Sequence, residues 1–292
     1  MPHQDRIERA LRASLATSLQ RGHPPKLAAA MQHAVFPGGA RIRPSLTLAV
    51  AMACGEDDAG LSEAAAAAIE LLHCASLVHD DLPCFDASDM RRGRPSVQRA
   101  FGERLAVLAG DALIVAAFDM LGCSANRHLS RLPALLQTIC RGVGMPMGIV
   151  AGQAWECEPQ LSLREYQQAK TGALFAAATM AGAQSAGADG LSWRALGEQL
   201  GQAYQVADDI RDVALDASTM GKPGGQDLAL GRPSMARELG LEGALAEFHR
   251  LVQSTLQTVP ACPGVAQLRQ LIRHEADRLV PQHLVERVAA AA

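Results

Sequence analysis

The sequence predicts an all-α protein that folds as a single-domain helical bundle. Hydrophobic residues make up 49% of the 292 residues and aromatic residues only 3%, with alanine abundant. This composition favours helices in close contact. Apolar residues recur at helical spacing, and no segment shows the alternation of a strand. The connections are short, so residues 1–292 are predicted to form one domain.

The predicted helices follow from apolar spacing and from breaks at glycine and proline. The first spans residues 4–20, with apolar residues four apart on one face: Ile7, Leu11, Leu15 and Leu19. Further helices are predicted at 26–35, 45–54, 62–82, 103–122, 129–142, 161–187, 191–216, 234–257 and 264–288, with a glycine-interrupted one from 145. Pro83 ends the helix of 62–82, because the residue before a proline resists the α conformation.

Charge and cysteine usage narrow the classes of function. The net charge is −3 and no basic run occurs, so nucleic-acid binding is not expected. The seven cysteines include no CxxC pair, which is typical of a reduced, cytoplasmic protein. The charged, amphipathic N-terminus does not resemble a signal peptide. Asp111 interrupts the most apolar stretch, so no span of bilayer length and no stable membrane insertion are expected.

Two acidic clusters lie at the ends of predicted apolar helices. The first, within HCASLVHDDLPCFDASDMRR at 73–92, contains Asp80, Asp81 and Asp86. The second, QVADDIRD at 205–212, contains Asp208, Asp209 and Asp212. A helix C-terminus carries partial negative charge, so acids there are unfavourable unless a cation compensates. The clusters predict a shared Mg²⁺ site; the alternative is a solvated acidic face, the usual fate of a charge run.

Basic residues accompany both clusters and predict a diphosphate ligand. They are Arg41, Arg43, Arg91, Arg92, Arg94, Lys170, Lys222 and Arg232. Arginine suits bidentate phosphate binding, and lysine acts as a point charge. Each alone is more often a surface charge. Arg91 and Arg92 are the exception, because they follow the first acids within one loop.

With these segments assembled, the sequence resembles the trans-isoprenyl diphosphate synthases (polyprenyl synthetases) along nearly its whole length. The matching segments are GGARIRP, LLHCASLVHDDLPCFD, MRRGRPS, LAGDALI, AGQ at 151–153, KTGALF, QVADDIRD and GKPGGQD. FPGGARIRP, GMPMGI, GQAWECEP and the closing CPG resemble bacterial geranylgeranyl diphosphate synthases of pigment pathways. The resemblance implies a helical bundle of the isoprenoid synthase type with a central cavity, a homodimer and a role in carotenoid biosynthesis.

The resemblance also implies a reaction and its residues. Isopentenyl diphosphate would condense head-to-tail with an allylic diphosphate (dimethylallyl, geranyl or farnesyl) to give geranylgeranyl diphosphate (C20), with three Mg²⁺ ions per active site. The implied metal ligands are Asp80, Asp81, Asp86, Asp208, Asp209 and Asp212. Arg43, His73 and Arg92 would bind isopentenyl diphosphate. Arg91, Lys170, Thr171, Gln205 and Lys222 would lie on the allylic side. The residues implied in catalysis are Asp80, Asp86, Arg91, Lys170 and Asp208.

One departure from the family pattern lies at Ala40, where relatives usually have lysine in GGKRxRP. The isopentenyl site therefore lacks one expected cation. Two outcomes stay open: either Arg41 compensates, or the affinity for isopentenyl diphosphate is lower.

Product length is predicted from the residues preceding Asp80. Ala75 lies about 7–8 Å back along the helix, at 1.5 Å per residue. A bulky aromatic residue there would close the hydrocarbon tunnel, as is thought of the family's shorter-product members. Ala75 and Ser76 therefore predict a C20 product, and candidate floor residues of the tunnel are Phe118, Leu113 and Met120.

Three alternatives are kept. A farnesyl diphosphate synthase (C15) would differ only in product length. A class I terpene cyclase shares the first acidic motif, but its second motif is usually of an Asn/Ser/Glu type and it has no isopentenyl site. A non-catalytic prenyltransferase-like subunit usually loses one motif, whereas this chain keeps both.

Overall fold

The computed structural model describes residues 3–17, 22–36, 38–159, 163–214 and 235–280. These residues confirm the all-α class, since their regular elements are helices apart from one pair of two-residue strands. The elements before residue 125 are α1 (Gln4–Thr17), α2 (Pro25–Val35), α3 (Ile42–Ala53), α4 (Ala59–Asp80), β1 (Met90–Arg91), β2 (Arg94–Pro95), α5 (Val97–Phe101) and α6 (Glu103–Ser124). The later helices are α7 (Leu132–Val143), α8 (Ile149–Ala154), α9 (Leu163–Gln167), α10 (Ala173–Ser185), α11 (Arg194–Ala214), α12 (Met235–Glu238), α13 (Gly240–Gln257) and α14 (Val265–Leu279).

Two predicted helices are divided in the structure. The helix predicted at 161–187 is interrupted by a π-helical segment, Gln168–Gly172, between α9 and α10. The helix predicted at 234–257 breaks at Gly240, whose φ of 71° suits glycine. α3 begins three residues earlier than predicted, because Pro44 lies in its first turn, where a missing N–H needs no intrahelical partner.

α4 is the central helix of the bundle. The run of residues 64–68, all alanine, is fully buried, and α1, α3, α6 and α10 pack around the helix. Asp58 caps its N-terminus by accepting hydrogen bonds from the Gly60 and Leu61 amides at 3.0 and 3.2 Å. Because α4 runs through the core, its C-terminal acids end up largely buried.

α10 lies unusually close to α3. A Cβ on Gly182 would come within 2.4 Å of the Thr47 carbonyl oxygen, so only glycine permits this approach. The contact holds Phe175 of α10 against Arg43 of α3, whose guanidinium carbon lies 4.6 Å from the ring centroid. A packing detail of the bundle thereby positions one basic residue of the predicted site.

The prediction that no apolar span reaches bilayer length is wrong. Among the described residues, two helical stretches are long and apolar enough to span a bilayer, judged by length and composition alone. They are α4 and Glu103–Arg127, which contains α6. Asp111 does not prevent this, because the surrounding apolar residues outweigh a single acid. Burial in the bundle explains the apolar character of α4, because 78% of its apolar window is buried. For Glu103–Arg127 the buried share of the window is 33%.

Candidate active site

The first acidic cluster forms where α4 ends. Asp80 is 8% exposed and Asp81 2% exposed. The chain then turns back, and the Asp86 amide donates a hydrogen bond to the Asp80 carbonyl oxygen at 2.9 Å. This backbone contact brings the third predicted acid next to the helix end.

Gln153 of α8 orients Asp80, a role that the sequence analysis did not assign. Its Nε2 donates to Asp80 Oδ1 at 2.8 Å and to the Ser76 carbonyl oxygen at 3.3 Å. The only signal in the sequence was the AGQ segment. The 73 residues between the two partners allow no inference from local spacing.

The buried carboxylates favour a bound cation. Burial raises the pKa of the Asp80 carboxyl, although Lys170 opposes this, and burial raises the pKa of Asp81 against the opposing effect of Arg91. Within the described ranges, no three His, Cys, Asp or Glu side chains form a ready cage for a metal ion. Mg²⁺ needs no such cage, because it takes one or two carboxylates and completes its shell with water and phosphate. Asp80 and Asp86 fit that ion.

Arg91 and Asp81 form a partly buried ion pair, in which the Arg91 side chain is 26% exposed and the Asp81 side chain 2% exposed. Arg91 Nε donates to Asp81 Oδ1 at 3.0 Å, and Nη2 donates to the same oxygen. Burial lowers the pKa of Arg91, but the Asp81 carboxylate outweighs that effect and the net shift is upward. Asp81 therefore holds Arg91 at the mouth of the cluster.

The second acidic cluster lies in the last turns of α11, where Asp208 and Asp209 have different surroundings. Asp208 accepts from Arg211 Nη2 at 2.8 Å. Asp209 is 4% exposed and accepts from Gln205 Nε2 at 3.0 Å and from the Met235 amide at 2.8 Å. Asp209 therefore connects α11 to the start of α12, a structural task that its predicted metal role did not include.

A π-helical segment places Lys170 and Thr171 between the two clusters. Thr171 Oγ1 donates to Gln205 Oε1 at 3.2 Å, which joins it to α11. Lys170 lies close enough to Asp80 for its charge to oppose the rise that burial causes in the pKa of that carboxyl. Such an interruption of an α-helix is common at functional sites, and here it links both acidic clusters through adjacent residues.

Glu156 is a further residue that the sequence analysis did not single out. Its Oε1 accepts from Lys170 Nζ and from the Tyr166 hydroxyl, both at 2.6 Å. Lys170 is thus held by a carboxylate that an anionic ligand would have to replace. Lys222 and Arg232, and with them the glycine-rich GKPGGQD loop, lie outside the described residues.

Arg43, His73 and Arg92 lie close to one another, and this group is called the basic pocket. Arg43 Nη1 lies 3.4 Å from His73 Nε2, and its Nε has no hydrogen-bond partner among the described residues. Its guanidinium stacks on Phe175 and lies 5.6 Å from the Tyr204 ring centroid. Burial lowers the pKa of His73 well below its ordinary value, and the charges of Arg43 and Arg92 lower it further. A neutral imidazole therefore lies close to two arginine side chains.

Arg41 does not fill the gap left at Ala40. It is 3% exposed, and it donates to Glu70 Oε1 at 2.6 Å, to Glu8 Oε1 at 2.9 Å and to the Val35 carbonyl oxygen at 2.8 Å. The alternative in which Arg41 compensates for the missing lysine is therefore wrong, because its guanidinium is already committed inside the protein.

The chain-length candidates lie along α4, next to α6. Ala75 is 1% exposed, and Ser76 Oγ donates back to the His73 carbonyl oxygen at 2.8 Å. One turn beyond Ala75, a Cβ on Gly110 of α6 would meet the His79 ring at 2.1 Å, so the two helices are in close contact. The candidate floor residues on α6 are one buried side chain, Leu113, and two partly buried ones, Phe118 and Met120.

Comparison with known proteins identifies the family of this chain. The polyprenyl synthetase family profile matches residues 24–270. A geranylgeranyl diphosphate synthase from Cereibacter sphaeroides is 50% identical over 288 residues, which cover 99% of this chain and 100% of the relative. A farnesyl diphosphate synthase from Haemophilus influenzae is 37% identical, covering 92% and 93% of the two chains.

A solved structure extends the similarity to three dimensions. It is a geranyltransferase from Helicobacter pylori complexed with magnesium and isoprenyl diphosphate, with a TM-score of 0.78 and 27% identity. The match covers 95% of this chain and 98% of the other. These matches, together with the acidic helix ends and the basic pocket, show that the chain belongs to the polyprenyl synthetase family.

Proposed function

We propose that this protein is a prenyltransferase that condenses isopentenyl diphosphate with an allylic diphosphate head-to-tail to give geranylgeranyl diphosphate. One observation carries the proposal: Arg91 pairs with Asp81 at the end of α4, whereas Arg43 contacts His73, so two basic sites lie in one bundle. A chain-elongating enzyme must hold two diphosphates at once, and these two sites offer one place for each. The greater identity to a geranylgeranyl than to a farnesyl diphosphate synthase supports the C20 product.

Mg²⁺ would be held by Asp80 and Asp86 near the end of α4 and by Asp208 and Asp212 near the end of α11. Asp81 would keep Arg91 in place, and Asp209 would keep α12 in place. Magnesium in the complex of the Helicobacter relative supports use of this ion; three ions per site is the expected number. The ions would neutralise diphosphate charge and so help the allylic C–O bond to break.

The chain's own residues would bind and separate the two substrates. Arg91, Lys170, Thr171 and Gln205 would hold the allylic diphosphate, with Lys170 exchanging Glu156 for a phosphate oxygen. Preorganised donors of this kind stabilise charge that develops on the leaving group. Lys222 would join them, although it lies outside the described residues.

Arg43, His73 and Arg92 would hold isopentenyl diphosphate beside the allylic carbon. Because His73 is neutral, it can donate a hydrogen bond without adding a third positive charge to the pocket. Apolar side chains of α4 and α6 would keep water from the allylic carbocation left when the C–O bond breaks. The isopentenyl double bond would attack that cation to form the new C–C bond, and the departing diphosphate would accept the proton that the isopentenyl unit then loses. With Arg41 committed elsewhere, we expect weaker isopentenyl diphosphate binding than in relatives that carry lysine at position 40.

The purified protein incubated with isopentenyl diphosphate, geranyl diphosphate and Mg²⁺ tests the proposal. Chromatography of the dephosphorylated products should show the C20 alcohol. A C15 end product would support the farnesyl alternative. Hydrocarbon release from the allylic substrate alone would indicate a terpene cyclase, and absence of turnover would indicate a non-catalytic subunit.

Substituting Ala75 should shorten the product. In Ala75→Tyr the ring would occupy space beside α6 that the growing chain needs, so we expect C15 to replace C20 as the main product. The measurement is the product distribution at equal turnover. Ala75→Ser is the matched control and should keep C20, and an unchanged distribution in Ala75→Tyr would remove Ala75 from the chain-length role.

We also propose a cytoplasmic homodimer that folds as one domain over its length, without stable membrane insertion. The seven cysteines, all within the described residues, are free, which supports a reducing compartment. α6 supports the dimer, since Val107, Leu108 and Val115 are 42%, 51% and 68% exposed on it. An exposed apolar patch of this kind is typical of an interface. The role in carotenoid biosynthesis stays a prediction from the sequence resemblance.

Val115→Glu should separate the two copies, because it places a charge in the apolar surface of α6. Light scattering should give twice the 30.8 kDa chain mass for the unmodified protein and a single chain mass for the variant. Leu129→Glu, at a 64% exposed site outside α6, is the control and should stay dimeric. A variant that keeps the double mass would place the interface elsewhere.

A further inference from the structure

Arg41 is a buried cation that joins three elements of the bundle. Its acceptors are Glu8 on α1, the last carbonyl of α2 at Val35, and Glu70 on α4. These partners outweigh the cost of burial and raise the pKa of Arg41. None of these acceptors belongs to the proposed diphosphate sites, so Arg41 can affect those sites only through another residue.

Glu70 is the connection between Arg41 and the basic pocket. It is 2% exposed, and it lies one turn before His73 on α4. Its Oε1 accepts from Arg41 Nη1 at 2.6 Å, and the same oxygen lies 3.9 Å from Arg92 Nη2. A buried carboxylate needs a cationic partner. Arg41 fills that need, while Arg92 remains beyond hydrogen-bond distance.

The GGARIRP turn keeps the two arginines in this arrangement. A Cβ on Gly38 would lie 2.1 Å from the Arg41 guanidinium carbon, and a Cβ on Gly39 would lie 2.9 Å from Arg92 Nε. Consecutive glycines therefore allow both guanidinium groups to lie against one stretch of backbone. Ala40 adds no charge there, so the pocket depends on Arg92 together with Arg43.

We propose that Arg41 is a positioning residue for isopentenyl diphosphate: it neutralises Glu70 and thereby keeps the Arg92 guanidinium available for the substrate. The inference rests on the proposed function, which assigns that substrate to Arg92. Without Arg41, the unpaired Glu70 carboxylate would draw Arg92 into a direct ion pair and take its donors from the pocket.

A double-variant comparison tests the proposal by titration calorimetry, which needs no turnover. In Arg41→Met, binding of isopentenyl diphosphate should weaken at least about tenfold, the loss expected for one charged hydrogen-bond partner. Binding of geranyl diphosphate should change by no more than about twofold, because its site is distinct. In Arg41→Met with Glu70→Leu, no anion remains to capture Arg92, so isopentenyl diphosphate affinity should return to within about threefold of the unmodified protein.

The outcomes separate this proposal from simpler roles of Arg41. If the double variant binds as weakly as Arg41→Met, or if both ligands weaken equally, Arg41 supports the fold or contacts substrate directly and the proposal is wrong. If Arg41→Met does not fold, Glu70→Gln tests the proposal instead. This variant leaves Arg41 its other two acceptors, Glu8 and the Val35 carbonyl oxygen. It should not weaken isopentenyl diphosphate binding, and a tenfold loss would overturn the proposal.

The same titration, read beside the turnover assay, distinguishes failure of the positioning role of Arg41 from failure of the proposed function. An unmodified protein that binds isopentenyl diphosphate but does not turn over would refute the activity and still allow the comparison. An unmodified protein that does not bind it would overturn both.

Discussion

Asp80→Asn should lower kcat by about 1,000-fold, the scale expected when a charge that stabilises the transition state is removed. Asn keeps an oxygen that can accept the 2.8 Å hydrogen bond from Gln153, so the loss would isolate the negative charge that attracts Mg²⁺. The measurement is kcat with saturating geranyl and isopentenyl diphosphates at several Mg²⁺ concentrations. We expect the Mg²⁺ concentration needed for half-maximal activity to rise as well.

The folded protein should tolerate this change. Burial raises the pKa of Asp80, so its ionised form destabilises the native state, and a neutral amide should leave the midpoint of thermal unfolding unchanged or higher. Asp89→Asn is the matched control in the same loop, with a side chain 72% exposed. It should keep kcat within about twofold. Activity within tenfold of normal in Asp80→Asn would contradict the assignment of Asp80 as a metal ligand.

Arg43→Lys should lower kcat/KM for isopentenyl diphosphate by about 100-fold, even though the charge is kept. The planar guanidinium lies 4.6 Å from the Phe175 ring centroid and leaves Nε without a hydrogen-bond partner among the described residues. An ammonium group has neither the plane for this stacking nor two parallel donors for a phosphate. The loss should therefore appear mainly in KM for isopentenyl diphosphate.

KM for the allylic diphosphate distinguishes this effect from general damage to the fold. It should change by no more than about twofold in Arg43→Lys, because the allylic donors are distinct residues. Arg99→Lys, at a side chain 68% exposed, controls for the chemistry of the substitution and should leave both KM values unchanged. Equal increases in both would show that Arg43 holds the bundle together instead of binding isopentenyl diphosphate.

Local patterns in the sequence predicted most of the fold. Apolar spacing located the helices, and proline and glycine located many of their ends, because both depend on residues within one or two turns. The same spacing placed Asp80 and Asp81 at the end of one helix and Asp208 and Asp209 on another. The π-helical segment at 168–172 was not predictable in this way, since α11 and α8 pack against it from distant parts of the chain.

By itself, the sequence determined the residues available for chemistry: two acidic helix ends, the arginines beside them, and the absence of the usual lysine at Ala40. The tertiary structure alone decided their partners. It paired Arg91 with Asp81, Lys170 with Glu156, Gln153 with Asp80 and Arg41 with Glu70. These partners are between 10 and 73 residues apart. Helical periodicity relates only residues within a few turns, whereas burial sets which distant charges must neutralise one another.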